Sequence, residues 1–170
     1  MHTLIHFFQH RLKQLISPSP KNAACAWQKL GNSPESFYWL FATPVHLMLA
    51  RDSFILADPH TIKLSNDEAT QLTISLNQHF SQEGLQFYWQ QNQWFLRLAH
   101  DPHIETIAPK HAINRKIDDF QTTGSGAIVW AKLQNEIQML LFSHPINHHR
   151  EKNKQLTINS IWCHGGGKIS

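Results

Sequence analysis

The chain has 170 residues, 41% hydrophobic and 16% charged, which suits one folded domain with a real core and excludes a disordered chain. Fifteen Lys and Arg against twelve Asp and Glu leave a formal charge of +3. The basic residues (Lys63, Arg97, Lys132, Lys168) are scattered rather than gathered into the dense stripe of a dedicated nucleic-acid binder.

In chain order, Leu4, Ile5, Phe8, Leu12, Leu15 and Ile16 fall at helical spacing before Ser17-Pro18-Ser19-Pro20, which predicts a short amphipathic helix over 3–16. Its polar face is only weakly basic, which favours docking on the domain or a partner subunit over membrane adsorption. Ala23, Ala24 and Ala26 have the look of an export cleavage site. However, Gln9, His10, Arg11, Lys13 and Gln14 stand where an apolar signal core belongs, so an export signal is rejected. No stretch approaches the ~20 apolar residues that span a bilayer. Cys25 and Cys163 form no CxxC pair and suggest no disulfide framework, so reduced thiols and a cytoplasmic location are expected. Residues 17–36 read as a connector with a short helix around Ala23 to Leu30.

From Phe37 the character changes. Phe37 to Phe41, Val45 to Ala50 and Phe54 to Ala57 are short apolar runs, and Arg51-Asp52-Ser53 between the last two predicts a hairpin. Ser65-Asn66-Asp67-Glu68 is a capping-box pattern; Ala69, Leu72, Leu76 and Phe80 continue it as an amphipathic helix over 66–82, closed by Gly84. Leu85 to Trp89 and Trp94 to Leu98, joined by Gln90-Gln91-Asn92-Gln93, predict a second hairpin rich in aromatic area. Residues 101–121 are polar and irregular. A helix is predicted from about Ile128 to His144, with Leu133, Ile137, Leu140 and Leu141 on one face and Pro145 as its stop. The last segment runs from Ile158 through Trp162 into Gly165-Gly166-Gly167, read as a flexible or tightly turned C-terminus. Strands then a helix, twice over, imply an α+β fold: a mainly antiparallel sheet from two or more hairpins, with two or three helices packed on one face. Residues 37–170 are expected to form this single domain, preceded by an N-terminal helix and connector over 1–36.

Histidine is over-represented, at thirteen residues. His144, His148, His149 and His164, with Cys163, are the most metal-like set. Pro145 disfavours the helical geometry that would put His144 and His148 on one face, and no HExxH or CxxC pattern is present, so no metal or cofactor is expected. The triple glycine lacks a following helix to strengthen phosphate binding. Cys163 and His164, as strand neighbours, point to opposite faces, and no GxSxG elbow is present. Glu136, Arg150 and Glu151 are charged residues beside apolar or turn-forming neighbours, and Asn147 and Asn159 bring amides able to bridge backbone groups. A polar structural knot is the favoured reading of these residues, with a ligand or partner site as the competing one.

Several of these segments, in order and spacing, resemble a family of uncharacterised bacterial proteins called the RpfE-type regulatory proteins. The resemblance rests on Pro44-Val45-His46-Leu47, Asp58, Asn77 to Phe80 with Gly84-Leu85, and Trp94-Phe95-Leu96-Arg97-Leu98. It is strongest in Asn135 to Leu141, His144-Pro145-Ile146-Asn147, Arg150-Glu151, and Asn159-Ser160-Ile161-Trp162 before the three glycines. It covers roughly residues 37–170. Thr43, Phe142 and His164 depart from it, standing where the family has an acidic residue, often a histidine, and an aromatic residue. The resemblance implies a role in bacterial gene regulation, and relatives sometimes carry a phosphoglycerate-mutase label. Mutase chemistry of that kind needs a phosphorylatable Ser or Thr among Asp and His ligands of two metals, and the six Asp here form no such cluster.

The expected working surface is therefore a polar C-terminal cluster of His46, Glu136, Gln138, His144, Asn147, Arg150, Glu151, Asn159, Ser160 and Trp162. Arg150 and the amides suit an anionic ligand or a partner protein, in a non-enzymatic binding or regulatory module. One alternative is an enzyme acting on a phosphorylated small molecule with Glu136 or His144 as acid/base. A second is single-stranded nucleic-acid binding through Trp89 and Trp94. Homodimerisation through the first helix or a sheet edge is a further expectation.

Overall fold

The structure is a computed structural model and describes residues 22–169. The helix predicted over 3–16 lies outside the described residues. In chain order the elements are α1 (Ala23–Lys29), β1 (Tyr38–Val45), β2 (Leu47–Leu49), β3 (Phe54–Leu56), α2 (Asn66–His79), β4 (Leu85–Gln90), β5 (Gln93–Leu98), α3 (Ala127–Phe142), α4 (Pro145–Lys152) and β6 (Ser160–Gly167). The fold is α+β, as expected, and no helix among the described residues is long and apolar enough to cross a membrane.

The apolar alternation along the strands builds two layers. Strands β4, β5, β1 and β6 form an antiparallel sheet in that order. Leu40, Ala42, Phe87, Leu96, Leu98, Ile161 and Cys163 point to one face, where Leu72 and Leu76 of α2, Ile137 and Leu141 of α3, and Ile146 of α4 cover them. Trp39 and Phe95 point to the other face, where Ala23, Ala24, Ala26 and Trp27 of α1 pack on them. The short helix expected near Ala23 is thus a second cover for the sheet.

Local chemistry explains most boundaries. Ser65 and Glu68 complete the capping box of α2: the Glu68 amide donates to Ser65 Oγ at 3.2 Å, and the Ser65 amide donates to Glu68 Oε2 at 2.8 Å. The β4–β5 hairpin turns on Gln91 and Asn92, at φ 50° and 59°, the left-handed pair that matches strand twist in a two-residue loop. Hairpin β2–β3 forms as predicted and packs Leu47 and Leu56 with Val45 and Ala112 in a separate small core. Residues 101–121 are irregular apart from two short 3-10 turns, Pro109–His111 and Ile117–Phe120.

Two expectations are corrected. Pro145 ends the α3 region but also occupies the first turn of α4, a position where its missing N–H costs nothing. The three glycines belong to strand β6 rather than to a loose or turned tail. Phe41 pairs with His164 and Trp39 with Gly167, so β6 carries one extra residue at a bulge where Gly165 has φ +63°. A Cβ on Gly165 would sit 2.8 Å from the Phe41 ring, and one on Gly166 would strike Tyr38. The glycines let two rings lie against the strand.

Candidate functional site

The α3–α4 junction and the approach to β6 hold most of the predicted polar residues, and there they bond chiefly to backbone. Asn147 is 4% exposed; its Nδ2 donates to the Leu141 and Ile158 carbonyls, both at 2.7 Å, and its Oδ1 accepts the Ile158 amide at 2.8 Å. Asn159 does the same for Leu47, accepting its amide at 2.7 Å and donating to its carbonyl at 2.9 Å. Arg150 is 2% exposed: Nε donates to the Leu156 carbonyl at 2.7 Å, and Nη1 donates to the Lys63 carbonyl at 3.1 Å and to Glu68 Oε1 at 2.8 Å. Burial alone would raise the Glu68 carboxyl, but the Ser65 amide and the Arg150 guanidinium outweigh it and hold it below the ordinary value. Among the described residues no buried side-chain nitrogen or oxygen lacks a partner, so the knot presents no orphaned group to a ligand. Arg150, expected to suit an anionic ligand, directs these donors to groups within the fold.

The two candidate acid/base groups point to different partners. Glu136 is exposed and pairs with His79 at 3.0 Å. His144 is 6% exposed and caps α4, its Nδ1 accepting the Ile146 amide at 3.3 Å. That leaves the proton on Nε2, 2.9 Å from Ser75 Oγ, so the imidazole donates to the serine and is the wrong tautomer to act as its base. Burial lowers the His144 pKa and keeps the ring neutral. His46 is half-buried with Nδ1 2.9 Å from the Thr157 carbonyl, and Glu151 is exposed on α4. Burial pushes the Cys163 thiol up to about 12 and the His164 ring down to about 4, leaving neither a thiolate nor an imidazolium at neutral pH. No group of three or more His, Cys, Asp or Glu suited to a metal ion occurs among the described residues.

Gln138, Ser160 and Trp162 do converge. They line a cleft of about 120 Å3 beside edge strand β6, walled by Gln134 of α3 and by Thr106, Ile107, Phe120 and Thr122 of the irregular segment. Gln138 Nε2 donates to Ser160 Oγ at 3.4 Å, and the Trp162 indole N–H donates to the Ile107 carbonyl at 2.8 Å, which pins the segment to the strand. The lining carries hydroxyls, amides and apolar surface and no ionisable group except the protonated Cys163 thiol. Thr106, Ile107, Phe120 and Thr122 were not foreseen, because an irregular stretch gives no periodicity from which facing residues could be read; Gln134 lies on the predicted helix α3, and only the fold shows that it faces this cleft. Of the two tryptophans expected to offer a nucleic-acid platform, Trp94 is 7% exposed and Trp89 is half-buried.

With this geometry in view, the chain is similar to phosphoglycerate mutases. A protein of Geobacter sulfurreducens named "Probable 2,3-bisphosphoglycerate-independent phosphoglycerate mutase" is 26% identical over 152 residues, which is 88% of this chain and 37% of that protein. The structure of the cofactor-independent phosphoglycerate mutase from Thermoplasma acidophilum matches with a TM-score of 0.59 at 16% identity, over 79% of this chain and 38% of that one. At that identity the second likeness is one of fold. The chain spans little more than a third of either relative's length. No protein-family model matches it.

Proposed function

We propose that this chain is a non-enzymatic binding module, regulatory in role, that takes a neutral side chain of a partner protein into the Trp162 cleft. The observation that carries this reading is the cleft itself. A cavity of roughly 150 Å3 accommodates benzene, whereas small-molecule sites run to about 300–1,000 Å3. A space of about 120 Å3 without a permanent charge therefore suits one side chain better than a phosphorylated metabolite. The half-buried Trp162, its indole N–H fixed at Ile107, is a rigid aromatic anchor of the kind that dominates protein interfaces. The resemblance to RpfE-type regulators supports the regulatory role, and two unpaired cysteines support a cytoplasmic location. The test is selection of a displayed random peptide library on the wild-type protein, with Gln138→Phe, whose ring would enter the cleft, as counter-target. Enriched peptides should share one neutral residue and lose binding to Gln138→Phe. No enrichment, or equal binding to both proteins, rejects the reading.

A second reading, catalysis on a phosphorylated small molecule, is favoured by the names of the two relatives. It conflicts with the separate directions of Glu136 and His144. An assay of 3-phosphoglycerate with manganese or magnesium added separates the two readings. No turnover is expected, and turnover lost in His144→Ala would establish the second reading.

A further inference from the structure

Where β1 ends, Thr43 and Pro44 face the β4–β5 turn and the segment that leads into α2, enclosing a concavity of about 630 Å3. This is the size of an ordinary small-molecule site. Lys63 and His60 line it, and no carboxylate does; the nearby Asp58 is turned to its own 3-10 turn, where Oδ1 accepts the His60 amide at 2.9 Å. Lys63 makes no ion pair, and the side chains of Asn92 and Gln93 make no hydrogen bond, among the described residues. Trp89, half-buried, supplies an aromatic wall.

Charge separates this concavity from two others. The Trp162 cleft has no charged group, and the groove between α2 and α4 contains Asp67 and Glu68. The rim is also held in place: Asn92 sits in the tight left-handed turn, Pro44 and Pro59 stiffen the facing walls, and the Lys63 carbonyl is bound by buried Arg150. The Arg150 knot thus braces the backbone that carries the cation.

We propose that this concavity is a binding site for a small anion carrying a planar ring, of the nucleoside monophosphate class. The phosphate lies toward Lys63 and His60, and the ring lies against Trp89. The proposal is independent of the Trp162 cleft. The test titrates adenosine monophosphate, adenosine, inorganic phosphate and 3-phosphoglycerate against the full chain, followed by tryptophan emission and melting temperature. Saturable binding of the monophosphate is expected, with adenosine, phosphate and 3-phosphoglycerate each weaker by roughly tenfold or more. Lys63→Ala, an exposed substitution, should weaken the monophosphate by about tenfold. Trp89→Leu should erase its advantage over 3-phosphoglycerate, and Met139→Ala, at an exposed position of α3, should change nothing. Failure of the monophosphate to saturate at millimolar concentration, equal affinity in a folded Lys63→Ala, or 3-phosphoglycerate binding as tightly as the monophosphate would each overturn the assignment.

Discussion

The guanidinium of Arg150 answers three acceptors: the Leu156 and Lys63 carbonyls and the Glu68 carboxylate. Removing it leaves those groups short of a donor in a site where the arginine is 2% exposed. Arg150→Ala should therefore cost about 3–5 kcal/mol in urea unfolding. Arg150→Lys should recover little, because a single ammonium cannot reproduce the planar fork. A cost below ~1 kcal/mol for the alanine variant would show that the knot is not formed. His164 makes a different kind of contribution. Its ring stacks on Phe41 at 5.1 Å, and burial takes its pKa down to about 4, against ~6.5 in the unfolded chain. Below that unfolded value the unfolded state binds a proton that the folded state refuses. The stability is thus whole above about pH 6.5 and drains away as pH falls toward 4, on the order of 3 kcal/mol in total. Buried His144 acts in the same direction. His164→Phe should flatten the fall of melting temperature between about pH 6.5 and 5; an unchanged slope would place the titration elsewhere.

At the scale of elements, β6 depends on glycine at two neighbouring points for two reasons. Gly165 adopts φ +63° and faces Phe41, while Gly166 has a normal backbone but lies under Tyr38. Gly165→Ala combines left-handed strain with a clash against a ring in the sheet, and should destabilise by roughly 1–3 kcal/mol in chemical denaturation. A loss of only a few tenths would mean that the bulge is absent. The same strand shows where sequence reading stops. Helix α2 was legible because its start is written locally in Ser65 and Glu68, and the β4–β5 hairpin because alternation flanks a short polar turn. The glycines of β6 answer to rings on β1, more than a hundred positions earlier, so nothing beside them in the chain distinguishes a strand from a loose tail. Helix α4 was hidden by Pro145, which reads as a stop until the cap formed by His144 is seen. Within the expected site, Gln138, Ser160 and Trp162 meet, whereas Asn147, Asn159 and Arg150 turn to backbone carbonyls and amides, partners that a sequence does not advertise.

For the whole molecule, the decisive feature is that both faces of the four-stranded sheet are covered. Three helices lie over one face; the other is closed by α1, seven residues long and preceded in sequence by a proline-rich stretch with no amphipathic period of its own. What closes that face is aromatic area. Trp27 stacks on Trp39 at 4.8 Å with planes 24° apart, and meets Tyr88 at 4.9 Å and Phe95 at 5.2 Å. Trp27 is 8% exposed, and its indole N–H donates to the Ser33 carbonyl at 3.3 Å, which ties the helix to the turn that follows. A short helix has little stability of its own, so α1 is ordered by this packing. Trp27→Ala should cost about 3–5 kcal/mol through lost burial and the cavity left behind. It should also abolish the exciton couplet that two stacked indoles give in far-ultraviolet circular dichroism. Met139→Ala, at a side chain 74% exposed on α3, is the matched control and should leave stability and spectrum unchanged. If Trp27→Ala instead unfolds at the same denaturant concentration as the parent with the couplet intact, α1 does not close the sheet, and the second aromatic face is open to solvent or to a partner.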